Sequence, residues 1–276
     1  MTIQDWLTSA TTHLKEAGIP SPALDAAIIL AHTVRRSRTY LHAHGDDELA
    51  PQQREIADAR LQLRLDRTPI AYIIGHKEFY GRQFNVTTAT LIPRPESETI
   101  IELLAEYETV QPLLPRVKRL VDVGTGSGCL GITAKCEFPE LDVTLVDISN
   151  HALRVAQQNA IRLDASVQTI KSDLLSSYPY RADYIIANLP YVDPTWERSP
   201  ETAFEPDLAL FAADDGLALI NDLLKQAPSH LTSGGIVFIE ADPRQHAAII
   251  ETARQHNLTH KATRGFIVSL LYQPSI

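Results

Sequence analysis

At 276 residues, with 44% hydrophobic and 21% charged side chains, the chain has the make-up of an ordinary globular protein and the length of two domains. Its formal net charge of −9 argues against a long nucleic-acid footprint, which needs a basic face. No apolar run is long enough to span a bilayer, and Met1-Thr2-Ile3-Gln4-Asp5-Trp6 lacks the basic start and apolar core of a secretory signal. A cytoplasmic protein without a membrane partner is therefore expected.

Residues 1–68 read as a small all-helical domain. Ser21-Pro22 is a helix start, with serine as cap and proline where a missing N–H costs nothing. Leu24, Ala27, Ile28 and Ala31 then recur at helical spacing and are expected to share a buried face. A second amphipathic helix is predicted from Pro51 to Arg67, with Ile56, Ala59 and Leu63 on its inner side. From residue 69 to 98 the texture changes. Ile70–Gly75 and Phe79–Val86 suggest a short hairpin with glycine turns, and Leu91-Ile92-Pro93-Arg94-Pro95-Glu96-Ser97-Glu98 is a stiff linker leading into a helix near Thr99–Tyr107.

Beyond the linker, strands and helices alternate. The predicted strands are 119–124, 142–148, 167–172, 182–187 and 235–241; the helices lie near 128–137, 150–163, 216–227 and 243–256. That order gives residues 99–276 an α/β fold with a doubly wound, mostly parallel sheet. Segments 258–263 and 265–272 follow too closely for a helical crossover, so an antiparallel terminal hairpin is expected. Cys129 and Cys136 fall two turns apart on one predicted helix, too far for a disulfide, and read as structural thiols in a reducing compartment.

The first strand of this series runs into Gly124-Thr125-Gly126-Ser127-Gly128. Glycine is needed where backbone turns sharply and a ligand lies against it. About 20 residues on, the next strand ends in Asp147, at the spacing of an acid that takes ribose hydroxyls. Asp173, closing the third strand, is placed to meet a base amino group, with Leu174 packing beside the ring. A ligand-free βαβ unit is the plain alternative. A dehydrogenase is opposed by the extra Gly124 and by Asp122, and a P-loop is excluded because no lysine follows the glycines. The fourth strand ends in Asn188-Leu189-Pro190-Tyr191. A carboxamide, a stiff turn and a flat ring at that strand end form a cradle for a planar, neutral nitrogen group.

Asp122–Gly128 with Asp147 resembles the S-adenosyl-L-methionine site of class I methyltransferases, and Asn188–Tyr191 resembles the Asn/Asp-Pro-Pro-Tyr motif of their amino-group branch. Pro69–Gly75, Glu78–Gly81, Leu91–Glu98, Phe204–Leu210 with Asp215-Gly216-Leu217, and Leu24-Asp25-Ala26 are similar to the HemK/PrmC family. That resemblance implies transfer of a methyl group from S-adenosyl-L-methionine to the glutamine of the Gly-Gly-Gln motif in class I peptide chain release factors, modulating translation termination. It implies cofactor contacts from Gly124, Thr125, Gly126, Ser127, Gly128, Asp147, Asp173, Leu174 and Asn188, and catalysis and glutamine binding by Asn188, Leu189, Pro190 and Tyr191. The helical domain would help to grip the release factor. Leu189 departs from the usual proline, and the terminal hairpin fits the family pattern poorly. Asn-Leu-Pro-Tyr keeps a nucleic-acid adenine-N6 methyltransferase as the alternative, and a non-catalytic cofactor-binding module as a third reading.

Some signals are set aside. His42 and His44 with Asp46, Asp47 and Glu48 look more like a solvated loop than a metal cluster, and no metal is expected. Arg94 suits either a cofactor carboxylate or a pair with Glu96 or Glu98. Glu240, at a strand end, reads as a lining residue without a catalytic task.

Overall fold

The computed structural model describes residues 1–110, 117–197 and 199–274. They form two compact units: Met1–His76 together with Ser199–Phe204 make one, and the remaining described residues the other.

The first unit is helical, with α1 (Ile3–Glu16), α2 (Pro22–Val34), α3 (Arg38–Ala43), α4 (Pro51–Leu65) and α5 (Ile70–Ile74). Thr2 and Asp5 close a reciprocal capping box at the start of α1, satisfying two orphan backbone donors. Trp6, Leu14, Ile29, Leu30 and Leu41 fill the core, and the Trp6 indole donates to Asp58 Oδ1 at 2.7 Å. The faces of α2 and α4 differ from the sequence expectation. In α4, Ala57, Leu61 and Arg64 are buried while Ile56 and Leu63 are about half exposed; in α2, Asp25, Ala26, Ile29 and Leu30 are buried while Leu24 is exposed. An inward ion pair accounts for this. Arg64 Nε meets Asp25 Oδ2 at 2.7 Å with both side chains almost fully buried, so two charged residues occupy positions that hydropathy assigns outward. Arg64 also meets Glu201 at 3.2 Å, and Arg67 meets it at 3.6 Å.

The segment expected as the first hairpin strand, Ile70–Ile74, is instead a helical turn closed by Gly75 at φ 77°. Pro69 pre-sets the first turn, and Gly75 supplies the left-handed stop. The hairpin lies just after it: β1 (His76–Phe79) and β2 (Arg82–Asn85) are joined by Tyr80 and Gly81, both at positive φ as a tight two-residue turn requires.

The second unit continues with a 3-10 turn (Pro95–Ser97) and α6 (Glu98–Val110), then β3 (Arg119–Val123), α7 (Cys129–Glu137), β4 (Asp142–Asp147), α8 (Asn150–Arg162), β5 (Gln168–Lys171) and β6 (Ala182–Ala187). A short α9 (Asp207–Leu210) precedes α10 (Ala218–His230), β7 (Leu231–Glu240), α11 (His246–Gln255), β8 (Leu258–Arg264) and β9 (Ile267–Tyr272). The sheet order is β5-β4-β3-β6-β7-β9-β8, parallel except for β9, which runs antiparallel to both neighbours. Every residue of β6 is buried, as a central parallel strand covered on both faces must be. The chain leaves β3 to one side for β4 and β5 and returns on the other for β6. The switch point therefore falls between the carboxyl ends of β3 and β6, where such sheets bind ligands. Among the described residues, no helix is long and apolar enough to cross a membrane.

Candidate active site

The carboxyl ends of β3, β4 and β6 open onto a cavity of about 320 Å3, at the lower end of the range for small-molecule sites. Leu91, Pro93 and Arg94 form part of its wall. The glycine turn after β3 holds Gly124, Gly126 and Gly128 at φ 70°, 55° and 81°, a run that side-chain-bearing residues rarely adopt. The N–H groups of Gly124 and Thr125 donate to Val146 O at 2.9 and 3.0 Å, anchoring the turn to the end of β4.

Asp122, only 1% exposed, braces the turn from beneath. Its Oδ2 accepts from the Thr125 hydroxyl at 2.6 Å and from Gly131 N–H at 2.9 Å. Burial lifts this carboxyl to about 6, against the opposing effect of those two bonds. The approach at Gly131 is too close for any side chain: a Cβ there would sit 2.3 Å from Leu145 Cδ2. Asp147 is held by backbone donors, from Gly126 to Oδ2 at 2.9 Å and from Ser149 to Oδ1 at 2.8 Å. Desolvation raises its pKa in spite of them.

Gly124, Thr125, Gly126, Ser127, Asp147, Asp173, Leu174 and Asn188 all line the cavity, with Leu189 and Pro190 beside them. Gly128 and Tyr191 do not lie among the lining residues. Gly128 is the N-cap of α7, and a Cβ on it would meet Ile132 Cδ1 at 2.6 Å, so its demand is helix packing. Tyr191 turns its hydroxyl to Glu240 Oε1 at 3.2 Å, and burial followed by the Glu240 charge raises its pKa. Its carbonyl is fixed by Gln245 Nε2 at 2.9 Å. Leu189 is 4% exposed and packs against the glycine turn, its Cδ2 2.8 Å from where a Gly124 Cβ would stand.

Ser97 and Asn159 join the site with no role expected from sequence, and Glu240 and Arg94 have partners that the sequence does not indicate. Asn188 Nδ2 donates to Ser97 Oγ at 3.0 Å, and Ser97 donates to Glu240 Oε2 at 2.5 Å. Glu240 is thus a hub and not a bare wall. Arg94 pairs with neither Glu96 nor Glu98: its Nη2 meets Glu205 Oε1 at 2.5 Å, and Glu205 Oε2 takes the Ile92 N–H at 3.1 Å. Asn159, fully buried on α8, donates to Ser127 O at 2.9 Å and to Asn85 O at 3.0 Å, and accepts from Asn85 N–H at 2.8 Å. One amide thereby ties the β2 hairpin strand to the glycine turn. Its only sequence signal is a polar residue in register with Ala152, Val155 and Ala156 on the inner helix face.

Cys129 lines the cavity, and burial pushes its thiol up to about 12, which keeps it neutral. Cys136, like Cys129, is a free thiol and only partly buried. His44 stacks on Tyr40 with ring centroids 3.9 Å apart, and the Tyr40 hydroxyl donates to Asp47. Among the described residues, no group of three or more His, Cys, Asp or Glu converges as metal ligands.

The PrmC N-terminal domain model matches residues 5–75, and the methyltransferase small domain model matches residues 102–202. The chain is 41% identical to a release factor glutamine methyltransferase of Koribacter versatilis over 88% of this chain and 89% of that one. It is 33% identical to the Escherichia coli protein of the same name over 96% and 99%. In fold it is similar to a methyltransferase from Pyrococcus furiosus, with TM-score 0.53 at 18% identity over 79% of this chain and 98% of that one.

Proposed function

The chain belongs to the release factor glutamine methyltransferases, and from that we propose that it moves a methyl group from S-adenosyl-L-methionine to the side-chain amide nitrogen of the Gly-Gly-Gln glutamine in class I peptide chain release factors. One observation carries this reading: a carboxamide at the end of β6 and a glycine turn at the end of β3 face one cavity, with Leu189 packed against Gly124 between them.

The residues present fit the cofactor. Gly124 and Gly126 leave backbone bare where a nucleoside must approach, and Asp147 is held at the adjoining strand end with lone pairs left for ribose hydroxyls. Asp173 and Leu174 offer an acceptor and an apolar face for the base. The bound cofactor supplies an electrophilic methyl on a positively charged sulfur.

An amide nitrogen is a poor nucleophile because its lone pair is delocalised into the carbonyl. Asn188 Oδ1 and the Leu189 carbonyl act on that difficulty by accepting the two glutamine N–H hydrogens. They aim the nitrogen at the methyl and stabilise the positive charge that grows on it as the N–C bond forms. Tyr191, outside the cavity lining, supports the tetrapeptide from behind through its hydroxyl bond to Glu240. As the N–C bond forms, the sulfur–methyl bond would break with its electron pair left on a neutral thioether sulfur, and one N–H proton of the methylated amide would pass to water. Orientation and fixed dipoles carry the acceleration. Pro190 keeps Leu189 extended, so the carbonyl this role needs is retained without the usual proline.

The test is mass spectrometry of a class I release factor incubated with the protein and S-adenosyl-L-methionine. A gain of one methyl on the Gly-Gly-Gln glutamine supports the reading. Transfer only to RNA or DNA, abolished by nuclease, would replace it with the adenine alternative.

A further inference from the structure

Two side chains behind the tetrapeptide, Ser97 and Glu240, fix where the protons of its Asn188 and Tyr191 go. Glu240, 1% exposed at the end of β7, takes the Ser97 hydroxyl on Oε2 at 2.5 Å and the Tyr191 hydroxyl on Oε1 at 3.2 Å. Asn188 reaches this carboxylate through Ser97, to whose Oγ its Nδ2 donates at 3.0 Å. Ser97, 2% exposed, has a single hydroxyl proton, and the carboxylate holds it. What Ser97 can offer Asn188 is a lone pair, and the 3.0 Å contact must be filled by an N–H. If the amide were turned over, its oxygen would face the Ser97 lone pairs and the Glu240 carboxylate with no hydrogen between them. A buried pair of acceptors with no hydrogen between them is costly, because each has lost its water without gaining a partner.

We propose that Ser97 and Glu240 are positioning residues that fix which way round the Asn188 carboxamide sits, spending its NH2 on the protein and leaving its oxygen for the substrate. This rests on the function proposed above, because an acceptor is what a glutamine NH2 requires. A carboxamide free to rotate would offer NH2 part of the time and repel the substrate nitrogen. Ser97 lies in the stiff Pro-Arg-Pro-Glu-Ser segment, whose anchoring by Glu205 holds the hydroxyl in register with β6 and β7.

The experiment compares Ser97→Ala, Ser97→Thr and Glu240→Gln with the wild-type chain. It measures single-turnover methyl transfer to the release factor, cofactor affinity by calorimetry, and the 15N side-chain amide resonances of Asn188. Ser97→Ala and Glu240→Gln are expected to slow transfer by about 10- to 100-fold, the loss typical when the partner that orients a working side chain is removed. Cofactor affinity should stay within about 3-fold, and Asn188 NH2 resonances should move. Ser97→Thr, which keeps the hydroxyl, should restore most of the rate. Transfer in Ser97→Ala and Glu240→Gln within about 3-fold of wild type, or equal losses in rate and cofactor affinity without threonine rescue, would overturn the proposal. A wild-type chain that leaves the glutamine unmethylated would instead remove the reading beneath it.

Discussion

Leu189 and Gly124 belong to the two halves of the site, and their contact can be measured as an energy. In Gly124→Ala the new side chain is held at φ 70°, which costs about 1–2 kcal/mol for an L-residue. Its Cβ also falls 2.8 Å from Leu189 Cδ2, and relieving such overpacking costs a further ~1–3 kcal/mol. Leu189→Ala alone empties a core position and should cost about 2–5 kcal/mol. In the double variant Cδ2 is gone, so the overlap disappears while the backbone penalty remains. The double variant should therefore be more stable than the sum of the single losses by about 1–3 kcal/mol, well outside the error of additivity. Urea unfolding followed by circular dichroism reads all four proteins. Additivity within about 0.5 kcal/mol would refute the claim that the tetrapeptide is packed against the glycine turn.

Asn188→Ala should cut methyl transfer by about 10²- to 10³-fold, as for loss of a preorganised group at developing charge, while calorimetric cofactor affinity changes far less. Equal loss of both would assign Asn188 to cofactor binding alone. Burial sets Asp122 at about 6, above the ~3.9 of an unfolded aspartate, so the folded state binds a proton between those values. Its contribution to stability is full below the unfolded value and is lost as pH rises through about 6. Asp122→Asn should flatten the urea midpoint against pH in that window, leaving the slope due to Asp147 and Glu240, whose pKa values burial also raises. An unchanged slope would deny Asp122 its buried ionisation. Asp25→Ala takes from the Arg64 guanidinium its buried partner, leaving it Glu201 and the Thr68 carbonyl, and should destabilise by about 3 kcal/mol in chemical denaturation. A loss below about 0.5 kcal/mol would mean that the pair behaves as a surface bridge.

The sheet was legible because its signals are local. A central parallel strand is buried on both faces and reads as an apolar run, so Ala182–Ala187 is found with the bounds expected from sequence. The glycine turn and Asp147 announce themselves through backbone freedom and spacing. Position along a helix was legible where its facing was not. Ile56 and Leu63 look like core residues until Arg64 turns inward to Asp25, a partner 39 residues away. Ile70–Ile74 has strand-forming residues, yet proline before and glycine after make a helical turn. Ser97, Glu240 and Asn159 carry no motif that states their role. Their importance comes from partners 143 residues apart for Ser97 and Glu240, and 74 apart for Asn159 and Asn85. Arg94 reads from sequence as a cation for a cofactor carboxylate or for Glu96 or Glu98; the acid it meets is Glu205, 111 residues on.

Segment Ser199–Phe204, which folds with the helices, bears on how the chain can be cut. It makes the polypeptide cross between the two units three times and not once, so no single peptide bond separates them. A fragment beginning at Lys77 would carry Glu201 away from Arg64 and Arg67, leaving an acid without its bases in the loop that follows Tyr191. Truncation or fusion of this chain must therefore treat the helices and that loop as a single inheritable part.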